Sequence, residues 1–165
     1  MPNKTALQRR IRYLLVFFMC ALAVSGLTAI PLQWELKLLM PIIAKVAQWG
    51  LDFPAFSQWI ARIHDGVQNG YGQYPFLAYG TDWLAFGHVA IALVFIGPLR
   101  DPVKNIWVIE FGMIACLLLI PWTLIFGAVR DIPFFWQLID MSFGIFGIIP
   151  LWLARQSILR LIQEL

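Results

Sequence analysis

Three ionisable residues, His88, Glu110 and Asp140, lie inside long apolar runs of this chain. Such groups are costly in hydrocarbon, so they normally face protein or a polar cavity, and they often mark function. On a helix, His88 shares its face with Thr81, Ala85 and Ala92, and Asp140 shares its face with Trp136, Gln137, Gly144 and Gly147. Small residues on the charged side let a second helix come close. His88 lies seven residues past Thr81 and Asp140 seven past Pro133, so each sits about 10 Å along its helix from the outer boundary. Two inward groups at one depth are expected to meet, and a carboxylate beside an imidazole favours the charged form of each. Such a pair could act as acid and base on a lipid substrate. With Gln137, Asp82 and Tyr79 it would line a cavity open to the outer face, able to hold an ion, a small molecule or a lipid head group. Glu110 differs. Met113, Ile114 and Leu117 share its face, and it lies about 8 Å from the opposite, inner boundary. Its nearer partners are Arg100, Lys104 and Arg155. The competing reading makes these polar groups plain interhelical bonds, worth about 0.6–2 kcal/mol each.

The elements that must carry these residues are membrane helices. The 165 residues are 61% hydrophobic and 13% charged, with 12 Lys and Arg against 9 Asp and Glu. The mean hydropathy is +0.76 and the pI about 9.1. Soluble domains are closer to half apolar and a quarter charged, so a polytopic membrane protein is expected. The net charge of +3 does not indicate nucleic acid, because the basic residues gather at the ends of apolar runs, where they set orientation.

Spanning the hydrocarbon takes about 20 apolar residues, and four stretches qualify: 13–31, 81–98, 105–129 and 133–154. Pro31, Gly97-Pro98 and Asp131-Ile132-Pro133 supply stops. The basic start and a weak Ala21–Ala23 site resemble a leader, but the first segment is read as a retained span. With the N-terminus inside, Lys4, Arg9, Arg10, Arg12, Arg100, Lys104, Arg155 and Arg160 fall on the inner side, and Lys37, Lys45, Arg62 and Arg130 on the outer. That excess predicts both termini in the cytoplasm, in a bacterial cytoplasmic (inner) membrane.

Segment 33–80 is expected to stay outside the hydrocarbon. Lys37, Pro41, Lys45 and Gln48 recur at helical spacing, as in a helix lying in the interface. Residues 54–68 read as a second short amphipathic helix with Phe56, Trp59, Ile60, Ile63 and Val67 on its apolar face. Residues 66–80 read as a loop rich in Gly and Tyr. The fold expected is therefore all-α: a single membrane domain over 1–165, a four-helix transmembrane bundle with one or two short amphipathic helices between spans 1 and 2.

Cys20 and Cys116 form no CxxC pair and read as small packing residues. His64, beside Asp65, reads as a partly exposed interfacial residue. A haem held by His64 and His88 and a zinc site are both disfavoured, so no cofactor is expected. No nucleotide loop or nucleophile motif is present. The leading expectation is a structural or assembly subunit of a membrane complex, surrounded by lipid and by other subunits or copies of itself. The alternative is an outer-facing intramembrane polar site built on His88 and Asp140. For packing between chains, Gly144 with Gly147, and Ala21, Ser25 and Ala29 at four-residue spacing, are the candidate faces.

Overall fold

The computed structural model describes residues 4–50 and 53–164, and among these every regular element is helical. In chain order they are α1 (Lys4–Leu27), α2 (Leu32–Gln48), α3 (Pro54–Gln73), a 3₁₀ turn (Pro75–Leu77), α4 (Ala78–Val94), α5 (Ile96–Arg100), α6 (Ile106–Val129) and α7 (Phe134–Gln163). Four helical stretches are long and apolar enough to cross a membrane: Lys4–Leu27, Pro75–Arg100, Ile106–Val129 and Phe134–Gln163. Contacts divide the chain into two compact units, one formed by Met1–Leu22 with Ala90–Leu165 and the other by Ala23–Val89.

In the first unit α6 and α7 form an antiparallel hairpin. Its turn is set by local chemistry. Asp131 takes a left-handed backbone conformation (φ 53°), which Asp tolerates better than most residues. The Ile132 amide then donates to Gly127 O at 2.9 Å and the Asp131 amide to Ala128 O at 3.4 Å. These two bonds satisfy carbonyls that the end of α6 would otherwise leave open. Pro133 follows and starts α7.

Along the hairpin the two helices touch at the backbone. A Cβ built on Gly144 of α7 would lie 2.5 Å from Cys116 O of α6, and one on Gly147 would lie 3.2 Å from Cys116 Sγ. Gly112 of α6 makes room for Phe95 and Leu151 in the same way. Toward the C-terminal end of α7, Leu151, Ala154, Ile158 and Leu161 pack with Ile11, Leu15 and Phe18 of α1 and with Phe95, Val108 and Ile109. Phe18 and Phe95 meet at 4.9 Å between ring centroids. The helical path bends at Phe95 because Pro98 has no N–H to donate to Val94 O.

The second unit holds the end of α1, α2, α3, the 3₁₀ turn and most of α4. Gln68 Nε2 donates to Gln33 O at 3.2 Å, tying the later part of α3 to the start of α2. On α3, Phe56, Trp59, Ile60, Ile63 and Val67 are buried or half-buried, whereas Gln58, Arg62 and Asp65 are exposed. On α2, Lys37, Pro41, Lys45 and Gln48 are all exposed.

Several expected boundaries need correction. Helix α1 covers 4–27 rather than 13–31, and Pro31 belongs to the turn that opens α2, where its carbonyl accepts from the Trp34 and Glu35 amides. The fourth long helix does not stop at 154. It runs on to Gln163, because Ser157, Ile158 and Leu161 remain buried beyond Arg155. The loop expected over 66–80 is largely helical. α3 continues to Gln73, and α4 starts at Ala78. Each helical Gly costs about 1 kcal/mol relative to Ala, but half-buried Val67, Gly70 and Tyr71 extend the packed face of α3 past Gly66. Gly70 also leaves space for Leu77 of the 3₁₀ turn, whose Cδ1 would be 3.7 Å from an added Cβ. The two intervening helices have 17 and 20 residues, so they are not short.

The hairpin contact predicts a contrast between two glycines. Gly144→Ala should lower the thermal midpoint, with a cost of about 1–3 kcal/mol, since a backbone carbonyl cannot move aside as a side chain can. Gly66→Ala faces open space and should leave the midpoint unchanged or slightly raised. Melting curves of the two purified variants check this.

Candidate functional site

His88 is positioned by two local features. Its Nδ1 donates to Leu84 O, one turn back, at 2.8 Å. A carbonyl only accepts, so this bond puts a proton on Nδ1. Its Cβ and Cγ pack directly on Gly26 of α1, where an added Cβ would collide with them and would also lie 3.3 Å from Ala85 O. The expected small-residue side of His88 is the buried side, with Ala85 1% and Ala92 5% exposed. The helix that uses this opening does so through Gly26. On α1, Gly26 is buried, while Ala21 is exposed and Ser25 is half-buried, as is Ala29 in the turn that follows. The tight contact therefore lies one position off the series Ala21, Ser25 and Ala29.

Asp140 is half-buried on α7, beside the buried residues Gln137, Met141 and Gly144. It makes no ion pair within its own unit among the described residues. His88 and Asp140 belong to different compact units.

Gln137 is 7% exposed. Its Nε2 donates to Ile132 O at 2.7 Å, and its amide group lies on Gly127, where any Cβ would collide with it. Gln137 thus closes the same turn that the backbone of Asp131 and Ile132 shapes.

Glu110 meets one of its three expected partners. Arg155 Nε donates to Glu110 Oε1 at 2.9 Å, joining α6 to α7, and both side chains remain about one third or more exposed. In water such a pair is worth about 0–1 kcal/mol.

Asp82 is exposed. With Tyr79, Trp83 and Phe86 it lines a shallow cavity of about 270 Å³ that does not include His88. The three rings form an edge-to-face ladder, with centroids 5.9 Å apart for Tyr79–Trp83 and 5.6 Å for Trp83–Phe86.

At the turn between α5 and α6, Asn105 Nδ2 donates to Gly97 O at 3.2 Å and to Asp101 O at 2.9 Å. The Lys104 amide donates to Asp101 Oδ1 at 3.1 Å, and Lys104 Nζ lies 3.5 Å from Asp101 Oδ2. The bond from the Lys104 amide, with the nearby ammonium, holds the Asp101 carboxyl below its ordinary value of 3.8. Its contribution to this turn is therefore present above that value and fades as pH falls through the lower folded value. His64 Nδ1 lies 3.2 Å from Asp65 Oδ1, as its sequence position suggested.

No group of three or more His, Cys, Asp and Glu side chains that could hold a metal occurs among the described residues. Sequence reasoning did not single out Gly26, Gly127 or Asn105. The signal for the two glycines was present, as isolated Gly within an apolar helix. For Asn105 the signal was its place ahead of a long apolar run. Comparison with protein families, curated proteins and solved structures gave no match.

The Gly26–His88 contact predicts compensation. Gly26→Ala should destabilise by about 1–3 kcal/mol through overpacking. Adding His88→Gly, which removes the Cβ and Cγ in the way, should recover part of that loss in a double-mutant cycle read by thermal melting.

Proposed function

We propose that this chain is an integral membrane protein that acts as a structural or assembly subunit of a membrane complex. The observation that carries this reading is the apolar surface of its long helices. Only 11% of the most apolar window of α6 is buried, and Phe111, Ile114, Leu117, Leu118, Trp122 and Ile125 are all exposed. Water would not tolerate so much contiguous apolar surface on one helix, so lipid or neighbouring helices must cover it. The polar side chains support a structural role. Glu110 bonds Arg155, Gln137 and Asn105 close turns, and His88 bonds its own helix.

The finer placement is a bacterial cytoplasmic membrane crossed four times with both termini inside. It is supported by the eight basic residues on the proposed inner side against four outside. In this placement α2 and α3 lie in the outer interface, with the exposed Lys37, Lys45 and Gln48 of α2 in the head-group region.

A second reading is an outer-facing polar site that binds or transfers a small ligand, a lipid head group or a proton. Its support is that two half-buried ionisable groups, His88 and Asp140, each lie within a long apolar helix.

Native mass spectrometry of protein extracted gently from its own membrane separates the two. The subunit reading predicts a mass raised above 18.9 kDa by whole polypeptides, either other subunits or further copies of this chain. A single chain carrying only a small adduct would contradict it and favour the polar site.

A further inference from the structure

Two adjoining cavities open beside the start of α1, and the smaller of them lies between α1 and the later part of α7. One, about 220 Å³, is lined by Arg10, Trp152, Gln156 and Arg160 among others. The second, about 480 Å³, is lined by Arg9, Arg10 and Tyr13 among others. Arg10 borders both. Among the described residues, none of Arg9, Arg10, Arg12 and Arg160 forms an ion pair. Glu164, the acid nearest Arg160 in sequence, forms none either, and Glu110 is engaged by Arg155. Four guanidinium groups thus stand unneutralised at one end of the first unit.

From this arrangement we propose that the groove between α1 and α7 binds the phosphate of an anionic phospholipid. The guanidinium fork matches phosphate oxygens in pairs. Gln156 and the indole of Trp152 add neutral donors suited to a head group. The smaller cavity has room for about seven waters, enough for a phosphodiester. A free phosphate would need only the arginines. A lipid also needs an apolar path for its acyl chains, and the groove offers one. Phe17 lies one turn beyond Tyr13, Ile149 lies one turn before Trp152, and both are exposed. Basic pockets of this kind on the cytoplasmic side of membrane helices suit anionic head groups.

This inference rests on the membrane placement proposed above. Resistance of the native protein to alkaline carbonate extraction tests that placement separately, so the two can fail independently. The lipid site itself is tested by titrating delipidated full-length protein with phosphatidylglycerol and phosphatidylcholine of identical acyl chains and counting bound lipid by native mass spectrometry. Phosphatidylglycerol should be retained about twenty-fivefold better. Arg10→Gln with Arg160→Gln should remove that preference, at about fivefold per arginine. Arg130→Gln, at the opposite end of the α6–α7 hairpin, should leave the preference intact. Equal retention of both lipids by the native protein would overturn the proposal, a readout that does not depend on any variant folding. An equal loss in Arg130→Gln would overturn it too, as would displacement of the lipid by millimolar inorganic phosphate. The first would mark a mere effect of net charge, and the second a site for the free anion.

Discussion

The α6–α7 hairpin depends on one close approach, Gly144 against the carbonyl of Cys116. In the proposed membrane placement lipid gives the helices no hydrophobic reason to associate, so close packing and hydrogen bonds must hold them together. A glycine at the crossing brings two backbones within van der Waals reach, where many weak contacts accumulate. The rest of the first unit follows from that distance. Gly112 admits Phe95 and Leu151 between the helices, and Glu110 comes within bonding range of Arg155. The same device recurs in the second unit, where Gly26 of α1 accepts His88 of α4.

The polar groups complete this packing rather than compete with it. Gln137 ties the start of α7 to Ile132 in the hairpin turn, and Asn105 joins the turn between α5 and α6 to Gly97 and Asp101. In each case a side-chain amide donates to backbone carbonyls of a turn and ties that turn to the adjoining helix. His88 lowers the cost of its own polarity through Leu84 O, so the carboxylate partner expected from the sequence is not needed for Nδ1.

The helices were legible in the sequence to the extent that hydropathy determines them. The third span, expected over 105–129, is α6 at Ile106–Val129, because a long uncharged run bounded by Asn105 and Arg130 leaves few alternatives. Where hydropathy and helix length diverge, the reading fell short. α7 passes Arg155 because its buried face continues, and a helix need not end where the hydrocarbon does. α3 runs through Gly66 and Gly70 because packing outweighs their low propensity. The small residues beside His88 and Asp140 were legible, and Ala85, Ala92 and Gly144 among them are buried. The choice of Gly26 as the contact for His88 was not, because helix phase over a long span drifts by more than the one position that separates it from Ser25. Arg155 was recognisable among three partners for Glu110, but only the helix crossing selects it.

In the proposed topology four helices cross a bilayer, with both termini and the turn holding Lys104 on one side and the turn holding Arg130 on the other. Single cysteines at Lys104 and Arg130, in a chain with Cys20 and Cys116 changed to serine, test it in intact cells with a membrane-impermeant maleimide. The expected result is labelling of Arg130→Cys from outside, and of Lys104→Cys only after the membrane is opened. Labelling of both from outside, or of Lys104→Cys alone, would contradict it.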